Sequence, residues 1–154
     1  MLNVSIVLYN PDWKQVTTLT RALLECSHVR RIYWVDNSPT LQEPPVLSNQ
    51  VKYIFNNQNL GYGAAHNIAI RESIYDDIPF HLVVNPDLVV TSDVITTLLQ
   101  LILQHQEIGL IAPKVIYPNG ELQYLCKLLP TPFDVFGRRF VPKSWTRKRN
   151  NQYE

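Results

Sequence analysis

Short apolar segments alternate with segments of helical periodicity along most of the chain. The apolar segments predict buried strands at residues 3–9, 29–35, 51–55, 80–84 and 109–112. Helical spacing is predicted from Asp12 to about Cys26, from Ala64 onward, and after a Thr91-Ser92-Asp93 cap. Strands that alternate with helices predict one α/β, Rossmann-like domain, with a mostly parallel sheet and helices on both faces.

Local signals add detail to three of these segments. Asp12 and Gln15 have the spacing of a capping box at the start of the first helix. The second helix is expected to bury small and apolar side chains, and the third to bury one apolar stripe. In the second helix these side chains are Ala65, Ile68, Ala69 and Ile74. In the third helix they are Val94, Leu98, Leu101 and Ile102. Residues 114–123 predict a hairpin that turns at Asn119-Gly120.

The segment from His81 to Leu88 carries the strongest functional signal. The run Leu82-Val83-Val84 predicts a central strand that is buried on both faces. Pro86 has no N–H group, so the strand must end there. Asp87 is therefore expected just beyond the carboxyl end of a central strand, which is the edge where open α/β sheets bind ligands.

Right-handed crossovers bring other polar loops to the same edge. The residues expected there are Asn10, Asp12, Asp36, Asn37, Asn57, Asn59, Gly61, Gly63, Asn67 and Asp87. The chain has no G-x-G-x-x-G fingerprint after its first strand, no Walker A sequence and no G-x-S-x-G elbow. An edge rich in oxygen acceptors and poor in cations favours a phosphate ligand that is held through a metal ion such as Mg²⁺.

Composition and charge narrow the setting. The chain has 154 residues, 45% of them hydrophobic, and no apolar run long enough to cross a bilayer, so a soluble, cytoplasmic protein is expected. Cys26 and Cys126 are far apart and have no metal-ligand neighbours, which favours two thiols over a disulfide or a zinc site. Neither the four scattered histidines nor these cysteines form a catalytic or metal pattern.

The last seventeen residues form a basic tail, defined as residues 138–154. Six basic and one acidic side chain give it a charge of +5, whereas the rest of the chain, with eight basic and twelve acidic side chains, carries −4. A solvated end is the first interpretation. The second is peripheral contact with anionic lipids at the inner face of the cell membrane, anchored by Phe140 and Trp145. Binding to nucleic acid comes last, because the acidic body disfavours it.

Five motifs occur in an order and spacing that resemble a known family. They are residues 4–11 (VSIVLYNP), 35–38 (VDNS), 57–67 (NQNLGYGAAHN), 84–87 (VNPD) and 109–113 (GLIAP). Over residues 3–142 the chain resembles the glycosyltransferases of family 2, which have the GT-A fold, and in particular bacterial rhamnosyltransferases of surface-polysaccharide synthesis. The resemblance implies transfer of a sugar, with rhamnose as the candidate, from a dTDP- or UDP-sugar to a growing glycan or lipid-linked acceptor, with inversion at the anomeric carbon.

The resemblance also implies roles for individual residues. Asp36 would accept the imide N–H of the base, and Asp87 would hold the Mg²⁺ or Mn²⁺ ion that bridges the diphosphate. The nucleotide-sugar-binding residues would be Tyr9, Asn10, Asp36, Asn59, Gly61, Gly63, Asn67 and Asn85. Within this set, Tyr9 and Asn10 would line the base and ribose, and the two glycines would let the backbone approach the nucleotide sugar.

The chain departs from the family pattern at two places. Asn85 stands where the family often has a first aspartate. The acidic catalytic base of the family lies in an acceptor-binding half, and the only acids after Glu121 are Asp134 and Glu154, which match no motif. We therefore expect a nucleotide-sugar-binding domain at residues 1–123, a basic, partly irregular tail at residues 124–154 that begins a missing half, and better donor binding than turnover.

Other interpretations remain open. The chain could be a non-catalytic nucleotide-sugar-binding remnant or partner subunit, or an unrelated α/β fold of the response-regulator type, which would bind no donor. Asp36 and Asp87 also fit ordinary turn positions, and Gly61 and Gly63 ordinary loop positions. His66 is expected to be a helix-start residue rather than a ligand. The aromatic residues expected in the core or on the surface, rather than as sugar platforms, are Trp13, Tyr33 and Trp34.

Overall fold

A computed structural model of the chain describes residues 1–123 and forms a parallel α/β sheet with helices on both faces. In chain order its elements are β1 (Leu2–Leu8), α1 (Trp13–Leu24), β2 (Val29–Asp36), β3 (Val51–Phe55), α2 (Tyr62–Tyr75), β4 (Phe80–Val84), α3 (Ser92–Gln104), β5 (Val115–Ile116) and β6 (Leu122–Gln123). The four longer strands are parallel in the order β3-β2-β1-β4. The Rossmann-like architecture that the GT-A fold implies is therefore confirmed.

Alternation along β1 and β2 divides the core between the two faces of the sheet, because successive side chains of a strand point to opposite faces. Val4 and Ile6 of β1 lie in one apolar cluster with Trp34 of β2 and with buried residues of α1 and α3. The other cluster consists of Tyr33, Val35, Ala65 and Ala69, and it packs α2 on the opposite face. The three aromatic residues expected in the core or on the surface lie in or against these two clusters: Trp34 and Tyr33 are buried, and Trp13 is partly buried.

Local signals predicted most element ends correctly. The strands at residues 51–55 and 80–84 match. β1 begins and ends one residue earlier than predicted, and β2 extends one residue further at its carboxyl end. Asp12 caps α1, since its Oδ1 accepts the Lys14 N–H at 2.9 Å. The hairpin turns at Asn119-Gly120 as predicted, with Gly120 at a φ of 85°. Cys26 is a buried free thiol, as expected.

Two predictions about strands were wrong. Within the described residues β4 is an edge strand rather than a central one, and Val83 is 43% exposed, because the chain returns past β1 to place β4 on its far side. Residues 109–112 form no strand, and Leu110 is 89% exposed, because this short apolar run pairs with no described strand.

The predicted helix faces also need correction. In α3 the buried side chains are Ile95 and Leu99, whereas Val94 and Leu101 are 39% and 40% exposed. The buried face of α3 is shifted by one residue from the predicted face, because Ile95 packs in the cluster that contains Val84. Helix α2 begins two residues before the predicted start at Ala64, and Ile74 is 71% exposed.

The chain divides into two compact units, residues Met1–Ile111 and Ala112–Glu154. The predicted domain boundary after residue 123 stays a prediction. The expectations for Cys126, Asp134 and the basic tail, with Phe140 and Trp145, lie outside the described residues. Among residues 1–123, no helix has the length and apolar character that crossing a membrane requires.

Candidate functional site

The carboxyl ends of β1, β2 and β4 meet at one edge of the sheet. Leu8 is paired with Asp36 in the register of β1 and β2, and Ile6 is paired with Val84 in that of β1 and β4. The chain moves from β1 outward to β2 and β3 and then crosses back to β4, so the strand order reverses between β1 and β4. Such a reversal is the position where open α/β sheets form a ligand crevice.

Asp36 is the last residue of β2, and its side chain is fully buried. Its Oδ1 accepts the Ser38 N–H at 2.8 Å and the Ser38 hydroxyl at 2.5 Å, while its Oδ2 accepts the Tyr53 hydroxyl at 2.6 Å. Burial, followed by the bond to Asp36, raises the pKa of Tyr53, so this phenol remains a donor. Both oxygens of the predicted base-binding carboxylate are thus engaged by protein donors.

The Asp36 network extends to the loop after β1. The Ser38 hydroxyl accepts the Asn10 N–H at 2.7 Å, and Asn10 has a φ of 47°. Asparagine tolerates this left-handed conformation better than most residues do. The network therefore holds Asn10 in place, and the neighbouring Tyr9 side chain stays 56% exposed.

Asn37 joins the loop after β2 to the loop before α2. Its backbone N–H donates to the Leu8 carbonyl at 2.9 Å, and its Oδ1 accepts from Asn56 at 2.8 Å. Its Nδ2 donates to the Gly61 carbonyl at 3.3 Å and to the Asn59 Oδ1 at 3.5 Å. Asn59 Oδ1 also accepts the Gly61 N–H at 2.9 Å. Asn59 and Gly61, which both belong to the 57–67 motif, are thus parts of one hydrogen-bonded loop.

Helix α2 begins at this loop, at the same edge of the sheet. Its cap residue is Gly61, whose φ of 83° and ψ of 162° suit glycine, and no side chain caps the helix. Gly63 lies in the first turn, and a methyl group added there would contact nothing within 4 Å. Asn67 is exposed in the second turn. The first N–H groups of α2 are therefore available to an anion.

The turn at residues 85–87, here called the Asn-Pro-Asp turn, follows β4. Asp87 and Asn85 are exposed, and the Asn85 Oδ1 accepts the Tyr62 hydroxyl at 2.7 Å. Burial and then the charge of Asp87 raise the pKa of Tyr62, so this phenol is protonated at neutral pH. Sequence reasoning missed Tyr62, although it lies in the 57–67 motif between two glycines that were singled out.

The acidic donor set fits a metal ion only in part. Among residues 1–123 no group of three or more His, Cys, Asp or Glu side chains could hold a metal. Asp87 offers one exposed carboxylate, and Asn85 offers an uncharged amide. Mg²⁺ often binds through one or two carboxylates and completes its coordination with substrate phosphates and water. The residues therefore fit a metal that arrives with, or is completed by, a diphosphate.

A pocket of about 380 Å³ adjoins Asp87 on the side of α1. Its polar lining comes from Asp87 and the start of α1, and its apolar lining comes from Leu19, Ala22 and residues 88–90. The members from the start of α1 are Asp12, Lys14, Gln15 and Thr18. Asp12 and Asp87 were predicted at one edge, and the structure brings them to one pocket.

Two histidines, the buried His66 and the half-buried His81, lie beneath the site, between the sheet and α2. His66 is 3% exposed, and its Nδ1 lies 2.6 Å from the Ser5 hydroxyl. His81 Nε2 lies 2.8 Å from the same hydroxyl, and its Nδ1 lies 2.7 Å from the Ser73 hydroxyl. Burial lowers the pKa of each histidine to about 4, and His66 adds to the shift of His81. His66 is thus a buried core residue, in the first turns of α2.

The predicted residues therefore fall into connected groups. Asn10 and Asp36 are joined through Ser38, Asn59 and Gly61 are joined directly, and Asn85 adjoins Asp87 in one turn. Within the described part of the chain, Tyr9, Gly63 and Asn67 share no side-chain hydrogen bond with these groups. The ligand roles of all these residues stay predictions.

Comparison with known proteins gives one match. Residues 4–151 match the model of the family described as Glycosyl transferase family 2. A search of curated proteins gives no significant match.

Proposed function

Because the chain belongs to glycosyl transferase family 2, we propose that its carboxyl sheet edge binds a nucleoside-diphosphate sugar together with Mg²⁺ or Mn²⁺. The donor would be a UDP- or dTDP-sugar, with rhamnose as the candidate sugar. The acceptor would be a growing surface glycan, carried on a lipid at the inner face of the cell membrane. Transfer would invert the configuration of the anomeric carbon.

One observation carries the proposal: hydrogen bonds fix three loops and a helix start around a single edge. The Asp36–Ser38–Asn10 contacts hold the loop after β1, and the Asn37 side chain holds the loop before α2. Polar loops fixed in this way form a preorganised site, which reduces the entropy lost on binding. Simple turn aspartates would not need such cross-links between separate loops.

The base and ribose would lie against the exposed Tyr9 ring and Asn10. Asp36 is buried, and both of its oxygens already accept protein donors. A uracil or thymine imide would have to share Oδ2 with the Tyr53 hydroxyl, since a carboxylate oxygen accepts two bonds. We therefore propose that Asp36 acts mainly by holding Ser38 and Asn10 where the base binds.

The diphosphate would lie between the start of α2 and Asp87. The uncapped N–H groups after Gly61 and the positive end of the helix dipole favour an anion there, and Asn67 is one turn away. When bound, the metal ion would neutralise the charge that develops on the departing diphosphate. Asp87 would hold that ion, and Gly63, which has no side chain, would leave room for the sugar nucleotide.

Titration of UDP and dTDP, in Mg²⁺, Mn²⁺ and EDTA, tests the proposal through thermal stability and calorimetry. We expect both nucleotides to bind more tightly with metal than in EDTA. Asp87→Asn should lower the affinity measured with metal by about tenfold or more. The matched control is Asp77→Asn, because Asp77 is an exposed aspartate in the turn before β4, at the opposite edge. A folded protein that binds neither nucleotide under any of these conditions contradicts the proposal.

A measurement of turnover distinguishes an active glycosyltransferase from the non-catalytic alternative. The described residues include no acid that the family resemblance identifies as the catalytic base. A chain that binds the donor but neither hydrolyses nor transfers its sugar would be the non-catalytic alternative. Release of UDP or dTDP from sugar nucleotides, measured with and without added glycan acceptors, distinguishes these outcomes.

A further inference from the structure

Tyr62 connects the start of α2 with the Asn-Pro-Asp turn. It is the first residue of the helix, directly after Gly61, and its hydroxyl lies 2.7 Å from the Asn85 Oδ1. The two residues are 23 positions apart in the chain. The contact therefore joins the start of α2 to the Asn-Pro-Asp turn, the two parts of the site between which the proposed diphosphate would lie.

The core holds the Tyr62 ring from below. The ring meets the His66 ring edge to face, with centroids 4.3 Å apart and planes at 75°. His66 lies one helical turn later, is 3% exposed and is hydrogen-bonded to Ser5 of β1. The phenol is thus fixed at both ends, by a buried histidine and by the turn, even though 51% of Tyr62 is exposed.

In the structure the Asn85 amide is oriented with its oxygen toward the Tyr62 hydroxyl. A carboxamide has one oxygen acceptor and one NH₂ donor. The oxygen accepts from Tyr62, so the NH₂ group is left to donate. Within the described residues the Asn85 Nδ2 has no hydrogen-bond partner, and the side chain is exposed.

We propose that Tyr62 is a positioning residue, an inference that rests on the proposed function. Its hydroxyl holds the Asn85 amide so that the NH₂ group can donate a hydrogen bond to the diphosphate of the sugar nucleotide. Asn85 then contacts phosphate oxygen directly and does not bind the metal. Asp87 remains the one carboxylate of the turn that binds the metal. Asn85, which stands where the family often has an aspartate, would thereby offer the diphosphate an uncharged hydrogen-bond donor.

The test measures UDP and dTDP affinity in Mg²⁺ and in EDTA for four proteins: wild type, Tyr62→Phe, Asn85→Ala and the double variant. Tyr62→Phe should lower affinity about three- to tenfold in EDTA and in Mg²⁺ alike, as expected for one hydrogen bond. Asn85→Ala should do the same, and the double variant should lose no more than either single variant, because both remove one contact. Tyr75→Phe is the control, since Tyr75 is 90% exposed at the other end of α2.

Asn85→Asp separates positioning from a structural role. The new carboxylate would repel phosphate in EDTA and gain affinity with metal, so the ratio of affinities in Mg²⁺ and EDTA should rise at least about tenfold. Equal binding by wild type, Tyr62→Phe and Asn85→Ala would overturn this inference while leaving the proposed function intact. Additive losses in the double variant would also overturn it. If the folded wild type binds neither nucleotide, the proposed function itself fails.

Should Tyr62→Phe unfold, the Asn85 variants decide the outcome, because Asn85 is exposed outside any helix or strand. An unchanged ratio in Asn85→Asp, with unchanged affinity in Asn85→Ala, would then refute the inference.

Discussion

Acidification should destabilise this protein through the pair His66 and His81. Both rings are hydrogen-bonded to the Ser5 hydroxyl, His66 at 2.6 Å and His81 at 2.8 Å, between β1, α2 and β4. Burial lowers the pKa of each to about 4 in the fold. The folded state therefore keeps both rings neutral, in a place where one charge would disfavour the other.

The sign and size follow from the two pKa values. An unfolded histidine has a pKa of about 6.5. Since the folded pKa is lower, the full stability is present above about pH 6.5 and is lost as the pH falls toward 4. At pH 5 one such histidine loses about 2 kcal/mol. His81 is half-buried, and solvent screening reduces its share, so the pair should lose on the order of 3 kcal/mol.

Urea unfolding at pH 7.5 and pH 5.0, followed by circular dichroism, measures this loss. The side chain introduced by His66→Gln cannot titrate, so the free energy of unfolding of this variant should fall by only about one third as much between the two pH values. His28→Gln is the control, because His28 is exposed in the turn before β2. A wild type whose stability is unchanged at pH 5.0, or a His66→Gln variant that loses as much as the wild type, would refute the reasoning.

Further predictions concern the glycines and Asp36. Gly61→Ala should destabilise the fold by about 1–3 kcal/mol in thermal unfolding, because Gly61 has a φ of 83°; unchanged stability would contradict this conformation. Gly63→Ala should stabilise α2 by up to about 1 kcal/mol, since a methyl group meets nothing there, yet should weaken UDP or dTDP binding if the donor approaches this backbone; unchanged binding would place the donor elsewhere. Asp36→Asn should destabilise the protein by about 2–3 kcal/mol in urea, because it removes charge-assisted bonds to Ser38 and Tyr53. It should also lower the Tyr53 pKa toward its usual value in ultraviolet titration, and a Tyr53 that titrates as before would contradict the bond.

The site could be predicted only as a set of residues at one edge. The edge itself followed from strands that end at Leu8, Asp36 and Val84, because the carboxyl ends of parallel strands lie at the same edge of a sheet. Which side chains face a ligand did not follow, since that depends on contacts between loops. The sequence did not indicate, for example, that Asp36 is buried and accepts hydrogen bonds from Ser38 and Tyr53.

The sequence by itself determined the local elements and the family of this protein. The strand limits at 51–55 and 80–84, the Asp12 cap and the Asn119-Gly120 turn depend on neighbouring residues, and local patterns encode them directly. Five motifs in one order and spacing were enough to recognise the family, because each motif is a short local stretch that is read directly from the sequence.

Only the tertiary structure decided the arrangement of those elements and the hydrogen bonds between the separate parts of the site. The edge position of β4 depends on the direction in which the chain crosses back over β1. The Tyr62–Asn85 bond joins residues 23 positions apart, and the His81–Ser5 bond joins residues 76 apart. Such contacts form because β1 lies between β2 and β4 with α2 packed over it. No local pattern records which distant partners this packing brings within hydrogen-bonding distance.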